Sequence, residues 1–110
     1  MSTYPYAAVR KFTRYSLDVR AKLSVGVQEY TVRTLEVSEG GLGVVCPVEI
    51  PNEGLYVVEF VFPTMQDVFT AKLQSQGRSG FRYGFQYVEL DDVNMALLQK
   101  YQRRWGIRSK

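Results

Sequence analysis

The sequence predicts a mainly β domain: an antiparallel barrel or sandwich of about six short strands, closed by one helix. Three observations carry this. Apolar and polar residues alternate at period two through several short runs. Turn signals rich in glycine and proline separate those runs. Beyond residue 90 the period lengthens to that of a helix. Composition agrees, since 14% of residues are aromatic, with eight tyrosines and six phenylalanines, and these side chains favour strands.

Residues 1–9 carry Pro5 and little pattern and read as a lead-in. From Tyr15 the residues Leu17, Val19, Ala21, Leu23 and Val25 share one side, against Ser16, Asp18, Arg20, Lys22 and Ser24 on the other. That is a half-buried strand. Gly26 to Glu29 reads as a turn and Tyr30 to Val37 as the returning strand of a hairpin. Leu42, Val44 and Cys46 alternate until Pro47 stops the next strand. Pro51-Asn52-Glu53-Gly54 marks a turn, and Tyr56, Val58, Phe60 and Phe62 then share a face up to Pro63. Val68 to Gln74 alternates around Phe69, Ala71 and Leu73. Gln76 to Gly80 reads as a further turn, after which Phe81, Tyr83, Phe85 and Tyr87 line one face of a last strand. Asp91 is placed to cap a helix, with Asp92 adding negative charge to its first turn. Leu90, Val93, Leu97, Tyr101 and Arg104-Trp105 recur at helical spacing, the stripe expected of a lid packed on the strands, and Gly106 is placed to end it.

A chain of 110 residues with 45% hydrophobic and 23% charged residues has the size and balance of one globular domain. Cys46 stands alone, so an internal disulfide is excluded and a reducing cytoplasm is the expected compartment. It reads as a small buried hydrophobe. No apolar run approaches the ~20 residues of a membrane span, and the first residues lack the apolar core of a signal peptide. Net charge is +3, with basic residues gathered at both ends. Such ends suit nucleic acid, a membrane surface or a smaller polyanion. For the C-terminal cluster, a solvated helix end whose dipole favours cations explains the charge.

Catalysis is disfavoured by what the sequence lacks. It has no histidine, so histidine-dependent triads and histidine metal sites are excluded. One cysteine cannot build a thiolate zinc site within the chain. No glycine-rich loop runs into Lys-Ser or Lys-Thr, so a Walker-type phosphate cradle is absent. Asp91 and Asp92, as neighbours at a helix start, serve as caps rather than as an acid/base pair. No cofactor and no metal is expected.

Two segments instead support binding. Arg10-Lys11-Phe12-Thr13-Arg14 carries two guanidiniums four residues apart, and Glu36-Val-Ser-Glu-Gly-Gly-Leu-Gly43 places a carboxylate, a hydroxyl and three glycines just after a strand. Arginine pairs bidentately with phosphate or with the O6/N7 edge of guanine and stacks on base faces. A carboxylate at Glu36 and the hydroxyl of Ser38 suit the N1–H and N2–H₂ donor edge of guanine. Gly41 is expected to leave room for the base. Each segment alone has a plain explanation, a solvated tail for the first and a turn between strands for the second.

Together and in this order, Arg10 and Arg14 followed by Ser38 and Gly41 resemble the PilZ domain, a bacterial receptor for cyclic di-GMP, whose pattern is Arg-x-x-x-Arg and then Asp/Asn-x-Ser-x-x-Gly. Arg14 to Leu23 is similar to the family's first strand and Phe81 to Leu90 to its last. The resemblance implies a six-stranded antiparallel barrel over residues 15–110, with a C-terminal helix at about 91–105 and a flexible arm over residues 1–14. It implies a ligand site of Arg10, Arg14, Glu36, Ser38 and Gly41, with Lys11 adding field strength. Ligand capture would order the arm and present a new surface to a partner in motility, polysaccharide or pilus machinery. Glu36 stands where the family has Asp or Asn, and its extra methylene carries the carboxylate about 1.5 Å further. Weakened binding is expected from that change. An alternative is an interaction module of the same fold that binds cyclic di-GMP weakly or not at all. A nucleic-acid binder is disfavoured by the modest charge and the lack of an exposed aromatic-plus-basic platform.

Overall fold

Six strands close on themselves because each buries one face and pairs on both edges. The computed structural model describes residues 12–51, 53–105 and 107–108. In chain order the elements are β1 (Tyr15–Ser16), β2 (Arg20–Val25), β3 (Gln28–Val37), β4 (Gly41–Val45), β5 (Leu55–Val61), β6 (Val68–Ser79), β7 (Arg82–Glu89), α1 (Asp92–Arg104) and β8 (Ile107–Arg108). The ladder runs β2–β5–β6–β7–β4–β3, and a β2–β3 pairing closes the ring. Every pairing is antiparallel. Closure leaves none of the six with a bare hydrogen-bonding edge. The six-stranded barrel and terminal helix that the sequence implies are the observed architecture.

The inward residues are those of the alternating pattern. Leu23, Val32, Val44, Tyr56, Val58, Phe69, Leu73 and Phe85 are fully enclosed, and Cys46 lies among them as a buried thiol. Aromatic rings fill the end of the barrel beneath α1. Phe60, Phe62 and Phe69 meet with centroids about 5 Å apart, and Tyr101 of α1 stacks on Phe62 at 4.8 Å.

Three local expectations are corrected. The first strand is interrupted at Leu17–Val19, where the buried Thr34 hydroxyl donates to the Leu17 carbonyl (2.7 Å) and accepts from Val19 N–H (2.9 Å). A side chain thus stands in for the ladder, and the alternation survives because Leu17 still points inward. Gln76 to Gly80 is not a turn. β6 continues to Ser79 through an irregularity between Ser75 and Gly77, and only Gly80-Phe81 reverses the chain. Phe81 therefore sits at the hairpin tip, 61% exposed, and leaves the buried row to Tyr83, Phe85 and Tyr87.

The helix also differs in its buried stripe. Asp91 caps it as expected, its carboxylate accepting from Asn94 N–H at 2.8 Å. Leu98 and Tyr101 seal the barrel and Leu90 and Leu97 pack against it as expected, while Val93 faces solvent. Two polar ties fix this rotation. Asn94 Oδ1 accepts from Thr70 N–H of β6 (2.8 Å), and the Tyr101 hydroxyl donates to the Ser16 carbonyl of β1 (2.7 Å). Asn94, Leu98 and Tyr101 share one helical face, which puts Val93 on another. Trp105 ends the helix and is half exposed, while Gly106 falls outside the described residues. Past the helix, β8 pairs with β1, so chain from both ends lies side by side next to β3.

Candidate functional site

The bend between β3 and β4 is built by Ser38. Its N–H donates to the Gly41 carbonyl at 2.8 Å, and its hydroxyl accepts from the N–H groups of Gly40 (3.0 Å) and Gly41 (3.2 Å). The same hydroxyl donates to the Gly41 carbonyl at 3.3 Å. Ser38 is only 1% exposed, so its hydroxyl is spent on fixing the backbone. That makes it a positioning residue rather than a direct acceptor for a ligand. Gly41 is required by β7: a Cβ there would overlap the Phe85 carbonyl oxygen and lie 3.0 Å from Gln86 Cα. On its Cβ side Gly41 is thus closed by the neighbouring strand, while the residue itself lines the groove at this bend.

The segment before β1 converges on this bend at two points. Arg14 Nη1 donates to Glu36 Oε2 at 3.0 Å, with both side chains about one-quarter exposed. Phe12 lies over Gly40 so closely that a Cβ on Gly40 would meet its ring at 2.6 Å. The described part of the expected arm, residues 12–14, therefore rests on the barrel at the bend. Arg10 and Lys11 lie outside the described residues. Of the site residues expected from sequence, Arg14, Glu36, Ser38 and Gly41 line one groove.

The groove, about 690 Å³ in volume, has a floor that the sequence reading did not single out. Glu36 of β3 pairs with Gly43 of β4, Gly43 with Gly84 of β7, and Gly84 with Gly77 of β6. Partners in an antiparallel ladder point to the same face, so the three glycines leave a strip of bare backbone on the outside of the barrel. Nothing lies within 4 Å of a Cβ built on Gly77 or Gly84, and only ordinary contacts meet one on Gly43. Glycine inside a strand weakens it by roughly 0.5–1 kcal/mol relative to alanine, and often marks close approach by a ligand. The signal was present in the sequence, since Gly43 and Gly84 occupy outward positions between apolar residues.

Charge is placed at the two ends of this strip. Arg14 and Glu36 stand at the β3 end. Arg78 and Arg82 line the other, but Arg78 is bound to Glu49 (3.0 Å) and lies over the Tyr83 ring. A flat floor at van der Waals distance from a planar ring, with a guanidinium and a carboxylate at its edge, suits an anionic ligand bearing a heteroaromatic base. Among the described residues no group of three or more Cys, Asp or Glu is placed to hold a metal.

Comparison with known proteins gives the following. A family model for the PilZ domain matches residues 8–103. Among solved structures, the inhibitor of motility MotI/DgrA of Bacillus subtilis matches with a TM-score of 0.66 at 16% identity. The match covers 86% of this chain and 50% of that one, so the shared fold accounts for about half of the longer protein. No curated protein sequence matches the chain. With the model running from before Arg10 to within α1, and the barrel, bend and helix arranged as described, the chain belongs to the PilZ domain family.

Proposed function

We propose that this chain is a receptor for cyclic di-GMP that signals to a protein partner and carries out no catalysis. The observation that carries the reading is the meeting of Arg14 and Glu36 at the mouth of a glycine-floored groove, beside the Ser38 bend. Ligand capture exchanges the partners of this pair. Arg14 turns to a phosphate or to the O6/N7 edge of guanine, and the Glu36 carboxylate takes the N1–H and N2–H₂ donors. Arg10 and Lys11 close over the ligand from the arm. Ser38 and Gly41 keep the bend rigid, and Gly43 and Gly84 let the base lie against the backbone.

The lone buried Cys46 suits a reducing cytoplasm. Among the described residues no helix is long and apolar enough to cross a membrane. The shared fold with a protein named for inhibiting motility makes motility machinery one candidate target, beside polysaccharide and pilus machinery.

A second reading is favoured by one feature. Arg14 is already engaged by Glu36 and the Ser38 hydroxyl is already satisfied, which suits an interaction module with weak or no ligand binding. Titration with cyclic di-GMP and with cyclic di-AMP separates the two. Guanine presents the donor edge that Glu36 accepts and adenine does not, so the receptor reading requires binding of the first and rejection of the second. No binding of either supports the interaction module, and equal binding of both contradicts the role of Glu36.

A further inference from the structure

We propose that a second groove, on the barrel wall next to the first, is the docking surface for an acidic segment of the partner protein. This rests on the reading that the chain signals to a partner. One cross-strand row runs Arg20–Arg33–Val45–Arg82 over β2, β3, β4 and β7. It spans roughly 14 Å at ordinary strand spacing. Arg20 and Arg33 are direct neighbours in this row, an arrangement that destabilises a sheet unless an anion is at hand. Asp18 supplies one, accepting from Arg33 Nε at 2.8 Å.

Charge pairing over the rest of the barrel makes the row distinct. Arg14, Lys22, Lys72 and Arg78 each have a carboxylate within 4 Å. Arg20 and Arg82 have none among the described residues, and both belong to this row. Beside them lie Leu35, 37% exposed, together with Val45 and Pro47. Leu35, Val45 and Pro47, with Arg20, Arg33 and Asp18, line a groove of about 760 Å³. An apolar trough edged by the unmatched Arg20 guanidinium and by Arg33, whose partner Asp18 also lines it, is complementary to a chain segment that alternates carboxylates with apolar side chains. Its concavity favours such a segment over a flat lipid surface. Arginine suits the role because its planar fork binds carboxylates bidentately.

The surface is also placed to sense the first groove. Leu35 lines both grooves and sits at the ladder irregularity between Thr34 and Glu36, while Arg82, at the end of the cross-strand row, lines the ligand groove. A shift of Glu36 on ligand capture therefore moves Leu35, one residue away.

The test is heteronuclear NMR on the full ¹⁵N-labelled chain with three probes: a short synthetic peptide alternating glutamate and leucine, poly-glutamate of equal charge, and phosphatidylglycerol vesicles. The peptide is expected to shift the amides of Arg20, Arg33, Leu35, Val45 and Arg82 and to bind more tightly than poly-glutamate. Arg20→Glu alone, at an exposed side chain without a carboxylate partner, and Arg20→Glu with Arg33→Glu are each expected to weaken the peptide at least about tenfold. Neither is expected to change the cyclic di-GMP titration. Shifts elsewhere, equal binding of poly-glutamate, vesicles binding through this row in place of the peptide, or unchanged affinity in Arg20→Glu each overturn the proposal. Peptide binding without cyclic di-GMP binding leaves the docking surface standing and removes the receptor reading.

Discussion

Adding a methyl group to Gly41, Gly43 or Gly84 separates the glycines that hold the barrel together from those that floor the groove. At Gly41 the new Cβ runs into the Phe85 carbonyl and the Gln86 backbone, neither of which is a side chain able to swing aside. β4 and β7 must part, straining the pairs Gly41↔Gln86 and Leu42↔Phe85. Overpacking of this kind costs about 1–3 kcal/mol, and a weakened ladder bond adds about 1 kcal/mol. Gly41→Ala should therefore lose about 2–4 kcal/mol, a large share of a typical 5–15 kcal/mol. With a urea m-value of about 2 kcal/mol/M, the unfolding midpoint falls by about 1–2 M. At Gly84 a Cβ meets nothing within 4 Å. Gly84→Ala should keep or slightly raise the midpoint, since alanine gives up less entropy than glycine on folding. It should nonetheless weaken cyclic di-GMP about tenfold, because the methyl group lifts the base off the floor, a loss of about 1.4 kcal/mol. Gly43→Ala should behave like Gly84→Ala. A Gly41→Ala chain that unfolds with the wild type would refute the packing argument. A Gly84→Ala chain that binds like wild type would refute the floor.

Two tyrosines packed on the core should respond oppositely to loss of the hydroxyl. Tyr101→Phe removes the bond to the Ser16 carbonyl and should cost about 1 kcal/mol in urea unfolding, whereas the Tyr87 hydroxyl is buried without a partner among the described residues, so Tyr87→Phe should be neutral or stabilising by up to about 1 kcal/mol. The same burial holds the Tyr87 phenol well above its ordinary pKa, so in the folded chain it should stay silent in an alkaline absorbance titration. The backbone bond from Asn94, reinforced by its side-chain amide, holds the Asp91 carboxyl below its usual range. Its contribution is then present above the unfolded carboxylate pKa of about 3.9 and is lost as pH falls through the lower folded value. Asp91→Asn should keep a capped helix while flattening that acid-side fall in the thermal midpoint, and Asp91→Ala should lower the midpoint at neutral pH.

The barrel was legible because its inward residues are set by period-two alternation, which survives even where a strand is broken. Thr34 interrupts the ladder at Leu17–Val19, yet Leu17 still faces the core. Gln76 to Gly80 misled because Gly77 serves both turns and bulges. Its φ of +139° is used within a strand, and composition does not distinguish the two. The helix was placed correctly, and Leu90, Leu97 and Tyr101 of its expected stripe pack on the core; Val93 gives way to Leu98 because Asn94 and Tyr101 fix the helix rotation through polar bonds that apolar spacing does not register. In the site, the convergence of Arg14 on Glu36 followed from the motif order. The inward commitment of Ser38 did not, because a hydroxyl that closes a bend and one that faces a ligand look alike in sequence. Gly43 and Gly84 could be read as outward glycines from the alternation, but their alignment with Gly77 and Glu36 into one floor comes from the register of four strands, which only the pairing shows.

The central claim, that the cationic segment before β1 and the bend after β3 share one nucleotide, is tested most directly by calorimetry with cyclic di-GMP on the wild-type chain and on Arg14→Ala. The account predicts a saturable heat for wild type that disappears in Arg14→Ala, with urea unfolding showing the variant still folded. Equal binding by the two chains, or no heat from the wild type, would contradict it.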